Sequence, residues 1–142
     1  MSNYIEKIYS KIKPDLLLHQ VIRNTAFQDA KFRINACEDK EWLQIAILNL
    51  KKEQTFKPHK HILRKINKEM IPQECWVVIN GKVQVFYWDI NDKPIFSTVL
   101  NPGEITITFY GGHTYKSLLD NTLVYEIKTP FYEGVEKDKV FI

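Results

Sequence analysis

Five turn signals punctuate the chain from residue 80 onward at intervals of about ten: Asn80-Gly81, Asn91–Pro94, Asn101–Glu104, Gly111-Gly112 and Asp120-Asn121. Between them lie short runs rich in apolar, β-branched and aromatic residues, among them "ECWVVIN", "KVQVFYW", "IFSTVL", "ITITF" and "TLVYEIKT". Runs this short leave no room for a helix of ordinary length, but they suit strands. With "EWLQIAILNL" and "FKPHKHI" upstream, about seven or eight strands are expected, arranged as an antiparallel sandwich or barrel. Asn80-Gly81, flanked by two such runs, predicts a hairpin.

The first 41 residues read differently. Tyr4, Ile5, Ile8, Tyr9 and Ile12 recur at helical spacing, which predicts a short amphipathic helix over 3–13 ended by Pro14. The stretch "LLLHQVIRNTAFQDAKFRI" fits both a helix and an irregular strand. The organisation expected is an N-terminal extension with a short helix, residues 1–41, and a β domain, residues 42–142. A chain of 142 residues, 44% hydrophobic and 13% aromatic, suits one core better than two.

Composition narrows the function classes. The formal net charge of +3 is spread along the chain without a block of like charges, which argues against nucleic acid as the partner. The N-terminus has no apolar h-region, and no apolar run reaches the roughly 18 residues a membrane helix needs. Cys37 and Cys75 form no C-x-x-C pattern, so two reduced thiols in a cytoplasmic protein are expected.

Four residues carry the candidate chemistry. In "FKPHKHI", His59 and His61 project to one side if the run is a strand. Such a pair suits a metal ion, an acid–base site or a phosphate pocket, and it also occurs as plain surface polarity. Glu74 opens the strand that leads to Gly81, and His113 follows the turn at Gly103 by ten residues. Cys75 alternates with Glu74 and is expected to be a buried structural thiol on the opposite face. Trp42, Trp76, Phe86 and Trp88 are expected to pack in the core or an interface, and His19 is expected to be a satisfied core histidine.

This constellation resembles the cupin family. His59-x-His61 and Glu74-x6-Gly81 match the histidine pair, acid and turn glycine of the first cupin motif. Gly103, Gly111 and His113 match the second motif loosely. The likeness spans roughly residues 42–129. Glu53 stands where the motif has a glycine, and Ser117 where it has asparagine. Twelve residues separate His61 from Glu74, implying an inserted loop of about nine. The resemblance implies an all-β cupin jelly roll, and a divalent transition metal (Fe, Mn, Ni or Zn) held by His59, His61, Glu74 and His113.

The tail from Val124 to Ile142 is similar to that of small stand-alone cupins found in surface-polysaccharide biosynthesis. The resemblance therefore implies a metal-binding protein that binds or transforms a small carbohydrate-like molecule. It leaves two alternatives: a metal-independent nucleotide-sugar isomerase or epimerase using His59 or His61 to move a proton, and a non-catalytic ligand-binding module. Tyr115, Tyr125 and Lys128 are candidate sugar contacts. Arg64, with Lys65 and Lys68 in the insertion, is a candidate for the phosphates of a nucleotide-linked sugar. A homodimer is expected, because cupin barrels pair through their sheets.

Overall fold

The structure, a computed structural model, describes residues 4–25, 33–48, 52–55, 57–59, 61, 69–129 and 140–142. Ten strands and no helix are found among them: β1 (Ile5–Tyr9), β2 (Leu17–Ile22), β3 (Arg33–Asn35), β4 (Ala46–Leu48), β5 (Glu74–Asn80), β6 (Val83–Trp88), β7 (Pro94–Leu100), β8 (Ile105–Thr108), β9 (Gly112–Ser117) and β10 (Leu123–Lys128). They form a five-stranded sheet in the order β1-β2-β8-β5-β10, a three-stranded sheet in the order β7-β6-β9, and a small β3-β4 pair. Every pairing is antiparallel. The expected all-β antiparallel class is present.

Two layers of apolar side chains account for the architecture. Ile8, Val21 and Val78 of the large sheet pack on Val83, Val85, Tyr87 and Leu100, which belong to the small sheet or end its strands. The opposite face of the large sheet, with Leu17, Ile22, Cys75 and Ile107, packs on Ala36, Cys37 and Leu43 from the segment that carries β3 and β4. The centre of the large sheet is thus covered on both faces, and all six residues of β2 are buried. Inside that second layer, Gln20 Nε2 donates to the Ala36 carbonyl at 2.7 Å. Gln73 accepts from Leu43 N at 2.7 Å and donates to Glu41 at 2.8 Å. Buried amides need such partners, and here they fix the covering segment to the sheet.

The expected helix over 3–13 is instead β1 and a turn. Lys7 pairs with Gln20 and Ile8 with His19 across the β1-β2 ladder. The spacing of Ile5, Ile8 and Tyr9 is helical, but β-branched and aromatic residues suit a strand, and pairing with the buried β2 decides the matter, with Ile5 and Ile8 packed on opposite faces of the sheet. The turn closes on Ser10, whose hydroxyl accepts from the amides of Ile12 and Lys13 and donates to Asp89 at 2.7 Å. Strands from both sides of the expected boundary at residues 41/42 share the large sheet.

Asn80-Gly81 is a turn but not a hairpin. β5 pairs with β8 and β10, whereas β6 pairs with β7 and β9, so the chain changes sheets at Gly81. Gly81 has φ +86°, and a Cβ there would lie 2.8 Å from the Thr122 backbone. Two turns packed together leave space for glycine alone. The chain crosses again after β7, β8 and β9, and only the β6-β7 turn at Asn91–Pro94 closes a hairpin in this half.

Arg23, just past β2, ties the sheets together at one end. Its guanidinium donates to Glu6 at 3.0 and 3.1 Å, to Glu104 at 3.3 Å, to the Thr98 hydroxyl at 2.9 Å and to the Val99 carbonyl at 3.0 Å. A planar fork of five donors satisfies groups from both sheets together.

Candidate functional site at the open end of the sheets

The opposite end of the strands is where His19, Thr108 and Glu74 stand level across β2, β8 and β5. Alternation along β5 aims Glu74, Trp76 and Val78 at the small sheet, and sends Cys75 and Val77 to the other layer. Cys75 is fully buried, as expected, and burial pushes its thiol up to about 12. On β9, His113 and Tyr115 face Glu74 and Trp76 across the gap. On β10, Lys128 lies opposite Glu74 in the ladder.

These side chains meet. His113 Nε2 is 3.1 Å from Glu74 Oε1, and Lys128 Nζ is 3.2 Å from Glu74 Oε2. Burial favours the neutral Glu74 carboxyl, but the hydrogen bond from His113 and the ammonium of Lys128 outweigh it and bring Glu74 down to about 2. A carboxylate can only accept, so in the neutral imidazole Nε2 carries the proton and Nδ1 presents its lone pair. Tyr115 stacks on Trp76 with ring centroids 3.7 Å apart. Burial, and after it the charge of Glu74, raise the Tyr115 phenol well above its ordinary value, so the hydroxyl keeps its proton. Among the described residues, the buried His113 Nδ1 and Tyr115 hydroxyl have no hydrogen-bond partner; the same holds for Gln20 Oε1, in the covering layer away from this cluster.

Beside this cluster, His19 is fully buried and stacked on Tyr87 at 4.4 Å. Its Nδ1 lies 3.1 Å from the Thr108 hydroxyl and its Nε2 3.3 Å from the Trp88 carbonyl. The carbonyl accepts only, so Nε2 donates and Nδ1 accepts. The expectation of a satisfied core histidine holds. Gly111, at φ +76°, abuts both that carbonyl and the His19 ring.

Of the eight expected site residues, the structure brings together Glu74, His113, Tyr115 and Lys128. His59 and His61 do not lie on a strand; both are exposed, with ring centroids 5.5 Å apart, and His59 Nδ1 is 3.0 Å from the Lys57 carbonyl. Tyr125 is corrected: it alternates with Glu126 and Lys128, faces away from the cluster and is 59% exposed. Arg64, Lys65 and Lys68 lie outside the described residues. Trp76 and Thr108 were missed as site neighbours, although position i+2 from Glu74 already places Trp76 on the same face.

The expected metal shell is not assembled. Among the described residues, no group of three or more His, Cys, Asp or Glu side chains converges as an ion would require. Both oxygens of Glu74 are engaged, one of them by an ammonium. Comparisons with protein-family models, curated proteins and solved structures matched none of them to this chain. No helix among the described residues is long and apolar enough to cross a membrane.

Burial keeps His19 neutral, with its value lowered to about 3 from an ordinary 6.5. Above pH 6.5 the folded and unfolded chains hold the same proton count at this ring. Below it the unfolded chain takes a proton that the folded chain refuses, so stability falls as pH drops from 6.5 toward 3, by about 1.4 kcal/mol per unit. Glu74 adds stability that is present above its ordinary range and lost toward pH 2. Urea unfolding between pH 7 and pH 5 is expected to show that slope in the wild type and a much shallower one in His19→Gln. Equal slopes in both would contradict the assignment.

Proposed function

We propose that the protein binds, and by proton transfer transforms, a small carbohydrate-like molecule at the open end of its two sheets. Glu74, His113, Tyr115 and Lys128 are the working groups. One observation carries the reading: two buried hydrogen-bonding atoms without partners, His113 Nδ1 and the Tyr115 hydroxyl, flank one carboxylate. Leaving such an atom unpaired costs about 1–3 kcal/mol. A ligand that offers a hydroxyl to Nδ1 and an oxygen to the phenol pairs both at once, and neighbouring oxygens are what a sugar presents.

Each group has a role in this reading. Glu74 holds the tautomer of His113, and Lys128 keeps Glu74 ionised. With a carbonyl-bearing sugar in place, Nδ1 is the base and Tyr115 the donor to the carbonyl oxygen. This is the metal-independent course of those the cupin likeness implies, with His113 in the part expected of His59 or His61. We read the sheet pair as a cupin-like jelly roll, supported by the four sheet crossings between β5 and β10.

A second reading retains a metal ion, and the approach of the His59 and His61 rings favours it. Elemental analysis of protein purified without added metal or chelator separates the two. About one transition-metal ion per chain, lost in His61→Ala, would favour the second reading and displace the first.

Calorimetry with hexoses, keto sugars, sugar phosphates and nucleotide-linked sugars tests the binding claim. At least one class is expected to bind, with affinity falling about tenfold in Tyr115→Phe for the one lost hydrogen bond. Glu74→Gln is expected to weaken binding further, because it removes the negative charge and leaves one acceptor oxygen where His113 and Lys128 each use one. If no class binds, or both variants bind as the wild type does, the reading is wrong.

A further inference from the structure

Glu126 stands beside the proposed site without belonging to its working groups. It lies opposite Trp76 in the β5-β10 ladder and accepts from the indole Nε1 at 3.0 Å. Its other oxygen is 3.5 Å from Lys128 Nζ, which is itself 3.2 Å from Glu74. One ammonium thus lies between two carboxylates. With the His113 imidazole neutral, this cluster of described residues keeps one net negative charge, although the whole chain stands at +3.

The two carboxylates are not equally available. The Glu74 side chain is 11% exposed and both of its oxygens are engaged, whereas that of Glu126 is 45% exposed. A carboxylate offers about four lone-pair positions, so the indole and the ammonium leave Glu126 with capacity open to solvent. Trp76 connects this carboxylate to the rest of the site. Its N–H is held by Glu126, and its ring stacks on Tyr115, whose buried hydroxyl has no partner. An acidic pair alone would mark nothing; the unpaired Tyr115 hydroxyl and His113 Nδ1 place a ligand next to it.

We infer that the sugar taken at this site is an amino sugar, with its protonated amine on Glu126 and its hydroxyls on Tyr115 and His113 Nδ1. A cation answers the negative charge that Lys128 leaves uncompensated. A phosphate brought to the same place meets two carboxylates and an ammonium already committed to both, and like charges brought together select against the wrong ligand. The inference rests on the sugar reading above and narrows it to one class.

Calorimetry near pH 7 with matched sugars tests it: glucose, galactose and mannose against their 2-amino, 2-acetamido and 6-phosphate forms. For at least one of the three, the amino sugar is expected to bind about fivefold tighter than its parent, as suits an ion pair on a half-exposed carboxylate, with a margin that shrinks as salt rises. Acetylation removes the cation and is expected to remove the margin. The phosphate is expected to bind more weakly than the parent. Glu126→Gln keeps an acceptor for the Trp76 N–H and loses the charge, so it is expected to abolish the margin and leave the parent's affinity unchanged. Parent sugars that bind with no margin for the amine, or a margin that survives Glu126→Gln, would overturn the inference and leave the sugar reading standing. A phosphate that binds tightest would do the same. If no sugar of any charge binds, both fall together.

Discussion

Burial of the centre of the large sheet, β2 and β8, on both of its faces is the constraint on which the rest of the molecule depends. β2 lies inside that sheet with every residue buried, so its polar members, His19 and Gln20, must find partners within the protein. The Gln20 Nε2 group and Gln73 are answered by the segment carrying β3 and β4, and that segment is held in place by answering them. His19 is answered by Thr108 and the Trp88 carbonyl, which joins the two sheets at the level of Glu74. The covering layer, the sheet pairing and the buried polar groups are one arrangement.

The two ends of the strands are treated differently. At one end Arg23 satisfies Glu6, Glu104, Thr98 and Val99 with a single guanidinium, and the end is closed. At the other, Glu74 is satisfied by His113 and Lys128, but the far nitrogen of that histidine and the neighbouring phenol are left without partners. Charges of both signs are neutralised at each end. Of the two ends, among the described residues, the second retains two unmet buried hydrogen-bonding atoms close to one carboxylate, and this asymmetry locates the candidate site.

Much of this was legible in the sequence, and what was not has physical reasons. The turn signals marked the strands from β5 to β10, because glycine and asparagine occupy backbone conformations that few residues tolerate. They did not reveal which sheet each strand joins: the backbone at Gly81 serves a sheet crossing as well as a hairpin, and its close approach to Thr122 is a tertiary fact. β1 was hidden because a strand covered on both faces packs Ile5 and Ile8 on opposite sides, and that spacing imitates the helical period. Glu74 and His113 came from their motif positions and Lys128 and Tyr115 from the clustering of polar aromatics near the C-terminus. Tyr125 was misplaced for want of its register against β5, which alone fixes the side a strand residue faces.

The central claim is that Glu74 fixes the tautomer of the neutral His113 imidazole, with the proton on Nε2 and a bare lone pair on Nδ1. Nitrogen-15 chemical shifts and long-range ring couplings of the labelled protein near pH 8 report the protonation of each nitrogen directly. The account predicts a protonated Nε2 and an unprotonated Nδ1 at His113, with that tautomer preference lost in Glu74→Gln. A proton resident on Nδ1 with Nε2 bare, or a tautomer indifferent to the loss of the carboxylate, would contradict it.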